Sequence, residues 1–394
     1  MGIKDYSVTQ LLSMGACTNC QMCADVCPVV SASEDGELSA VFRIGGLRQL
    51  LKQRTVFGRL LGARPETPEQ AKHFSDTVFK CTLCGNCQEI CPVGIPLKEL
   101  WLSLRQDLVH SDNYPNKIDM IRDNLEKSYN VFNEDNEERA DWVEDMDDPP
   151  DDSYIRDKAE LVYFTGCTSA YFPLVQKIPI ALAEILDASE VEWTLMGEDE
   201  WCCGFPLLGA GLMDMFKQFV DHNVEAVRER GAREILFACP SCYQMWREYY
   251  PSEFKLFHAT QYLLKLMKEG RVPLKELSMT VTYHDPCDLG RGARVFDEPR
   301  EVIGSIPGVK FVELPHNREN SQCCGGGGNL EMIDAGLSSE VGKRKIEEVL
   351  STGADAVITS CQQCVRTMAT YVRRNKIPLQ VLDITQLVRK ALKD

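Results

Sequence analysis

Cysteine is the residue whose number and spacing in this chain could do chemistry. There are 18, and they fall in tight groups: Cys17, Cys20, Cys23 and Cys27; Cys81, Cys84, Cys87 and Cys91; Cys167, Cys202, Cys203, Cys239 and Cys242; Cys287, Cys323, Cys324, Cys361 and Cys364. Such spacings suit thiolate ligands of a metal. Disulfides would need an oxidising compartment, and Met1–Ser7 leads into no long apolar stretch that would direct secretion. A reducing cytoplasm makes metal the better explanation.

The first two groups read Cys-x2-Cys-x2-Cys-x3-Cys-Pro, ending at Pro28 and Pro92. This is the bacterial ferredoxin run, in which three thiolates from one tight loop reach three irons of a cube and the fourth, set back before proline, ligates the other cube. Cys17, Cys20, Cys23 and Cys91 are thus expected to hold one [4Fe-4S] cluster, and Cys81, Cys84, Cys87 and Cys27 the second. Paired CxxC motifs also bind zinc, but four cysteines per run with a following proline is the more specific pattern. The stretch from Pro28 to Lys80 reads as helical, as in the helical two-cluster ferredoxin domains of respiratory iron–sulfur subunits.

The last two groups are an internal repeat. Cys167, Cys202-Cys203-Gly204 and Cys239-x2-Cys242 recur as Cys287, Cys323-Cys324-Gly325 and Cys361-x2-Cys364, offset by 120, 121 and 122 residues. β-rich runs at Leu161–Phe164, Glu234–Phe237, Met279–Tyr283, Val309–Leu314 and Ala356–Thr359 each stop before a cysteine or a loop, and helical patterns at Met213–Arg230 and Ser338–Leu350 follow the CCG elements. The alternation predicts two α/β units with cysteines beyond the strand ends. The expected fold class is α plus α/β: residues 1–130 a helical ferredoxin-like domain with two clusters, 131–158 an acidic, extended and solvated connector, then CCG domains at 159–275 and 276–394.

The repeated Cys-Cys-Gly pattern, with the segments FTGCTSAY, GEDEWCCG, YHDPCDLGR and NRENSQCCGGGG, resembles the CCG domains of heterodisulfide reductase. Fusion behind a ferredoxin domain resembles the D-type subunits of that family and their relatives in sulfate reducers and syntrophic bacteria. The resemblance implies that each five-cysteine set holds a noncubane [4Fe-4S] cluster, and that electrons pass from the two cubane clusters to the two noncubane ones to reduce a disulfide of the CoM-S-S-CoB kind. The alternative it leaves open is a relay between a flavoprotein or dehydrogenase and a membrane cytochrome b, a quinone or a bifurcating complex.

Other residues follow from that chemistry. His284 and His258 are candidate proton donors, and Arg291 and Arg294 could bind an anionic substrate. The net charge of −16 argues against nucleic acid, which needs a basic face. Against that acidity, Leu38–Pro65 carries Arg43, Arg48, Lys52, Arg54, Arg59 and Arg64 and no carboxylate, an island that is either a solvated helix face or a dock for an acidic partner or anionic lipid. No dinucleotide fingerprint follows a strand, so flavin is expected on another subunit. No apolar run is long enough to span a membrane. The expected setting is the cytoplasm, or the cytoplasmic membrane face through a cytochrome b partner.

Overall fold

The computed structural model describes residues 6–60 and 67–393, the side chains of residues 57 and 59 excepted. Its fold is α plus α/β, and the chain forms two compact units. The first runs through Arg122 and takes in Pro206–Asp214 and Gln322–Arg344. It is helical, with long helices at Ala40–Arg54, Pro68–Phe79 and Leu97–His110. Thr67 begins the second of these with a capping box to Gln70 and Pro68 in the first turn, the signals that start a helix. Leu47, Val78, Phe79, Leu100, Trp101 and Leu104 are buried between them.

The second unit holds both repeats. Strands β1 (Leu161–Phe164), β2 (Trp193–Thr194), β3 (Glu234–Phe237) and β4 (Lys255–His258) form a parallel sheet in the order β2-β1-β3-β4. Strands β5 (Met279–His284), β6 (Val309–Phe311), β7 (Ala356–Thr359) and β8 (Gln380–Asp383) repeat that order as β6-β5-β7-β8. Strands β1 and β7 are near-continuous apolar runs, as a parallel sheet covered on both faces favours, and all four residues of each are buried. Strands β2, β4 and β8 lie outside the sequence reading: β2 is only two residues long, and β4 and β8 mix polar with apolar side chains.

The repeats pack as a pseudo-two-fold pair. The first crossover helix of the first repeat, Lys177–Ala188, lies on the last helix of the second, Ile384–Lys390. Reciprocally, Ala259–Lys268 of the first lies on Asp297–Gly304 of the second. One apolar core runs through both, from Leu182 and Trp193 to Ile303 and Leu387.

One sequence expectation is corrected here. The acidic connector is not extended and solvated: Asn136–Asp145 is a 3₁₀ helix, with Arg139, Ala140, Trp142 and Val143 buried. Trp142 and Val143 belong to the core just described; their apolar surface outweighs the solubility of the flanking carboxylates, which stay outside. Three of the basic island's arginines are tied within the unit, while Lys52 is exposed. Arg43 is buried and donates to the Thr77 carbonyl at 3.0 Å, Arg48 donates to the carbonyls of Met14 and Cys17, and Arg54 pairs with the buried Asp107 at 2.5 Å. Arg64 and the side chain of Arg59 lie outside the described residues.

Candidate metal centres

All eighteen cysteines are described and none is bridged to another. In the first unit they gather around two cavities. One is lined by Cys17, Cys20, Cys23 and Cys91, the other by Cys27, Cys81, Cys84 and Cys87. Left-handed backbone turns each loop so that its thiols converge: Asn19 and Gln21 in the first run, Leu83 and Gly85 in the second. A residue with a Cβ gives up about 1–2 kcal/mol for that conformation, so Gln21 and Leu83 are held there by the surrounding fold. Cys27 caps the helix Pro28–Ser33, where proline already suits the first helical position. Burial pushes the thiols of Cys27 and Cys87 above their ordinary range, well above for Cys87, where Cys81 and Cys84 add to it. A metal relieves that crowding, because ligation releases the protons.

The first CCG set lies wholly in the second unit. Its thiols form a chain of hydrogen-bond contacts, Cys167 to Cys202, Cys202 to Cys203, Cys203 to Cys242 and Cys242 to Cys239. Hydrogen bonds from Cys202 and then Cys242 pull the Cys203 thiol down to about 6, while contacts with Cys203 and then Cys239, together with burial, push Cys242 well above the thiol range. Five contiguous thiols, four of them buried, are a donor set for a centre of several irons. Element ends place two of them: Cys167 follows β1, and Cys239 follows β3 and stands at the start of the helix Pro240–Tyr249, whose first turn carries Cys242. Gly204 must be glycine, because its φ is +86° and a Cβ would come within 2.3 Å of the Phe216 ring.

Two buried charges adjoin this set. Glu200 accepts from the backbone N–H groups of Thr165 and Gly166, both at 2.8 Å, and fixes the turn from β1 to Cys167. Arg139, from the 3₁₀ helix, lies 3.4 Å from Glu200 and 3.6 Å from the Cys167 sulfur. Burial opposes its charge, but Glu200 and then Cys167 more than offset that and hold the guanidinium above its ordinary range. Sequence reasoning did not single out either residue. The available signal was a carboxylate two residues before Cys202, where the second repeat has Ser321 before its Cys pair.

The second set is divided between the units. Cys323 and Cys324 belong to the first, where the Gly325 N–H donates to the Cys323 sulfur at 3.3 Å. Gly325 has φ +94°, and a Cβ would fall 2.5 Å from the Ser338 carbonyl. In this unit the Cys323 thiol also touches that of Cys84, and the pull of Cys324 and burial raise it to about 12. Cys287, Cys361 and Cys364 belong to the second unit, with Cys361 after β7 accepting from the Cys364 N–H at 3.4 Å. The repeats meet at their ligand elements: Ser241 of the first CxxC donates to Asp288 beside Cys287, and Gln362 of the second donates to the Thr165 carbonyl before Cys167.

His284 ends β5, is buried, and has a ring nitrogen within 4.8 Å of the Cys364 sulfur. Neither nitrogen has a hydrogen-bond partner, and burial lowers its pKa to about 3. A buried imidazole in that state fits beside a sulfur-rich group that accepts its N–H. His258 ends β4, where its Nδ1 caps the helix Ala259–Lys268 through Thr260. Arg291 is buried and braces the carbonyls of Glu319 and Ser321, while Arg294 is exposed with φ +59°.

Known families match these elements. Residues 13–95 match the 4Fe-4S dicluster domain, and residues 161–247 and 281–369 each match the cysteine-rich CCG domain. The chain is 35% identical to the D-type subunit of the dihydromethanophenazine:CoB–CoM heterodisulfide reductase of Methanosarcina acetivorans, over 99% of its own length and 96% of that protein. The chain belongs to the family of heterodisulfide reductase D-type subunits. Its counterpart in Methanosarcina barkeri is 34% identical over the same shares. The EtfAB:quinone oxidoreductase of Syntrophomonas wolfei is 25% identical over 99% of this chain and 60% of that protein. The chain is therefore an iron–sulfur component of heterodisulfide reductase-like oxidoreductases. Among its described residues no helix is long and apolar enough to cross a membrane.

Proposed function

We propose that the chain carries electrons from two cubane clusters to two noncubane ones and reduces a disulfide of the CoB–CoM kind there. Cys17, Cys20, Cys23 and Cys91 hold one cube and Cys81, Cys84, Cys87 and Cys27 the other. Cys167, Cys202, Cys203, Cys239 and Cys242 hold the first noncubane cluster, and Cys287, Cys323, Cys324, Cys361 and Cys364 the second. The observation that carries this reading is the contact between the thiols of Cys84 and Cys323 within the first unit. It joins a ligand of the ferredoxin loop directly to one of the CCG pair, with no intervening side chain.

Such clusters supply the two electrons that a disulfide takes up, with two protons, in becoming two thiols. The chain's residues position and neutralise. His284 is neutral at physiological pH and serves as an N–H donor, Arg294 is an exposed cation suited to an anionic substrate, and His258 and Arg291 act through the backbone they hold. With no dinucleotide motif in the chain, a flavin-containing partner or a membrane cytochrome b at the cytoplasmic face supplies the electrons.

The test is turnover of the CoB–CoM heterodisulfide by the full chain, chemically reduced under anaerobic conditions. Thiol release that Cys324→Ala abolishes, while reduction of the cubane clusters survives, is expected. The likeness to the EtfAB:quinone oxidoreductase favours a second reading, a relay toward a quinone. No disulfide consumed, and no change in the noncubane EPR signals on adding one, would favour the relay.

A further inference from the structure

We propose that Arg139 sets the reduction potential of the first CCG centre, making it a better electron acceptor by placing a fixed positive charge against Cys167. The inference rests on the reading that the Cys167 set holds a cluster, and deepens it by naming what distinguishes this site from its repeat.

Three observations carry it. The guanidinium lies 3.6 and 3.8 Å from the Cys167 sulfur through its two terminal nitrogens, and only 2% of the side chain is exposed. Water screens little there, so what Glu200 leaves uncompensated of the charge acts on whatever the sulfur is bound to. Its Nε has no hydrogen-bond partner although it is buried, leaving a donor for which the protein supplies no acceptor. Glu200, the one carboxylate paired with it, is already committed to the N–H groups of Thr165 and Gly166. That carboxylate orients the arginine and neutralises part of its charge. The residual attraction favours the more negative, reduced cluster over the oxidised one, which raises the potential; net charge and hydrogen bonds to sulfur are the levers that tune such centres.

The repeat makes this a difference between the two sites. The 3₁₀ helix carrying Arg139 lies upstream of the first repeat and has no second copy. Glu200 is replaced by Ser321, whose hydroxyl donates to the Asp285 carbonyl at 2.9 Å. Asp285 is matched instead by Arg300 at 2.8 Å, which lies on the helix behind β5. The two five-cysteine sets therefore receive different fixed charges. One electron added to the first site meets a cation in place and needs no accompanying proton.

The experiment is EPR-monitored redox titration of the anaerobically reconstituted full chain, with dithionite as reductant, comparing the wild type with R139K, R139Q and R139Q/E200Q. The double variant leaves no unpaired buried carboxylate and serves if R139Q loses its cluster. R139Q is expected to lower the midpoint of the first CCG centre by 59 mV or more, a ten-fold change in its reduced-to-oxidised ratio at fixed potential, and R139Q/E200Q, which removes the opposing carboxylate as well, to lower it by less but measurably. R139K is expected to recover at least half of the R139Q shift, and the other centres should stay within experimental error. An unchanged midpoint in the double variant, with the cluster present, would overturn the role of Arg139. Iron content unaffected by Cys167→Ser and Cys203→Ala together would instead overturn the reading on which it rests.

Discussion

Arg105 should be indispensable to the second cubane loop. It is buried in the helix Leu97–His110, and its donors go to backbone carbonyls: Gly209 at 2.6 Å, Cys81 at 2.8 Å, Gly328 at 2.9 Å, Val78 at 3.1 Å and Phe79 at 3.2 Å. One side chain thus ties the loop before the second cysteine run to the glycine stretch after Cys324 and to the segment after the first CCG. Burial lowers its pKa to about 10, which still leaves it charged at neutral pH. Arg105→Met keeps the apolar stem and removes the donors. Five buried carbonyls left without partners cost about 1–3 kcal/mol each, and recovery of the guanidinium's desolvation penalty, several kcal/mol, offsets part. A net loss of about 4 kcal/mol from the first unit follows, concentrated at Cys81–Leu83 and Gly325–Leu330. Hydrogen exchange should show faster amide exchange in both segments, and EPR should show loss of the cluster proposed for Cys27, Cys81, Cys84 and Cys87. A variant within about 1 kcal/mol of the wild type, with that signal intact, would refute the reasoning.

Other outcomes follow from the same contacts. Asp383 is buried, its Oδ2 is without a partner, and burial raises its pKa to about 7; the unfolded carboxyl titrates near 4. The folded chain therefore binds more protons between these values, and this site's stability contribution falls as pH rises from about 4 to 7, by at most about 4 kcal/mol. Asp383→Asn, which retains a capping side chain, should flatten that slope in thermal unfolding measured across the range, and an unchanged slope would count against it. Arg54→Met should destabilise the first unit by about 3 kcal/mol through the buried Asp107 and leave partner association unchanged, whereas weakened association with normal stability would restore a docking role. Cys203→Ala should remove about four irons and spare the cubane signals; loss of all clusters would show that the centres do not assemble independently.

The sequence was legible where one residue type has one purpose. The cysteine spacings foretold which thiols line each cavity, and the runs at Leu161–Phe164, Glu234–Phe237 and Ala356–Thr359 are strands to the residue, because buried parallel strands are apolar throughout. Charged residues were misread for the opposite reason. Arg43, Arg48, Arg54 and Arg139 look solvated in sequence, yet each is spent on carbonyls or a carboxylate brought from 31 to 61 positions away. Partners that distant leave no local pattern. Trp142 was the signal in the acidic stretch, since a tryptophan among carboxylates buries itself and carries its neighbour Arg139 inward.

The metal count decides most directly whether eighteen cysteines hold four clusters. Anaerobic iron and acid-labile sulfide analysis of the reconstituted full chain, with zinc measured on the same sample, should give about sixteen irons and as many sulfides per chain. Iron near eight per chain, or stoichiometric zinc, would contradict it.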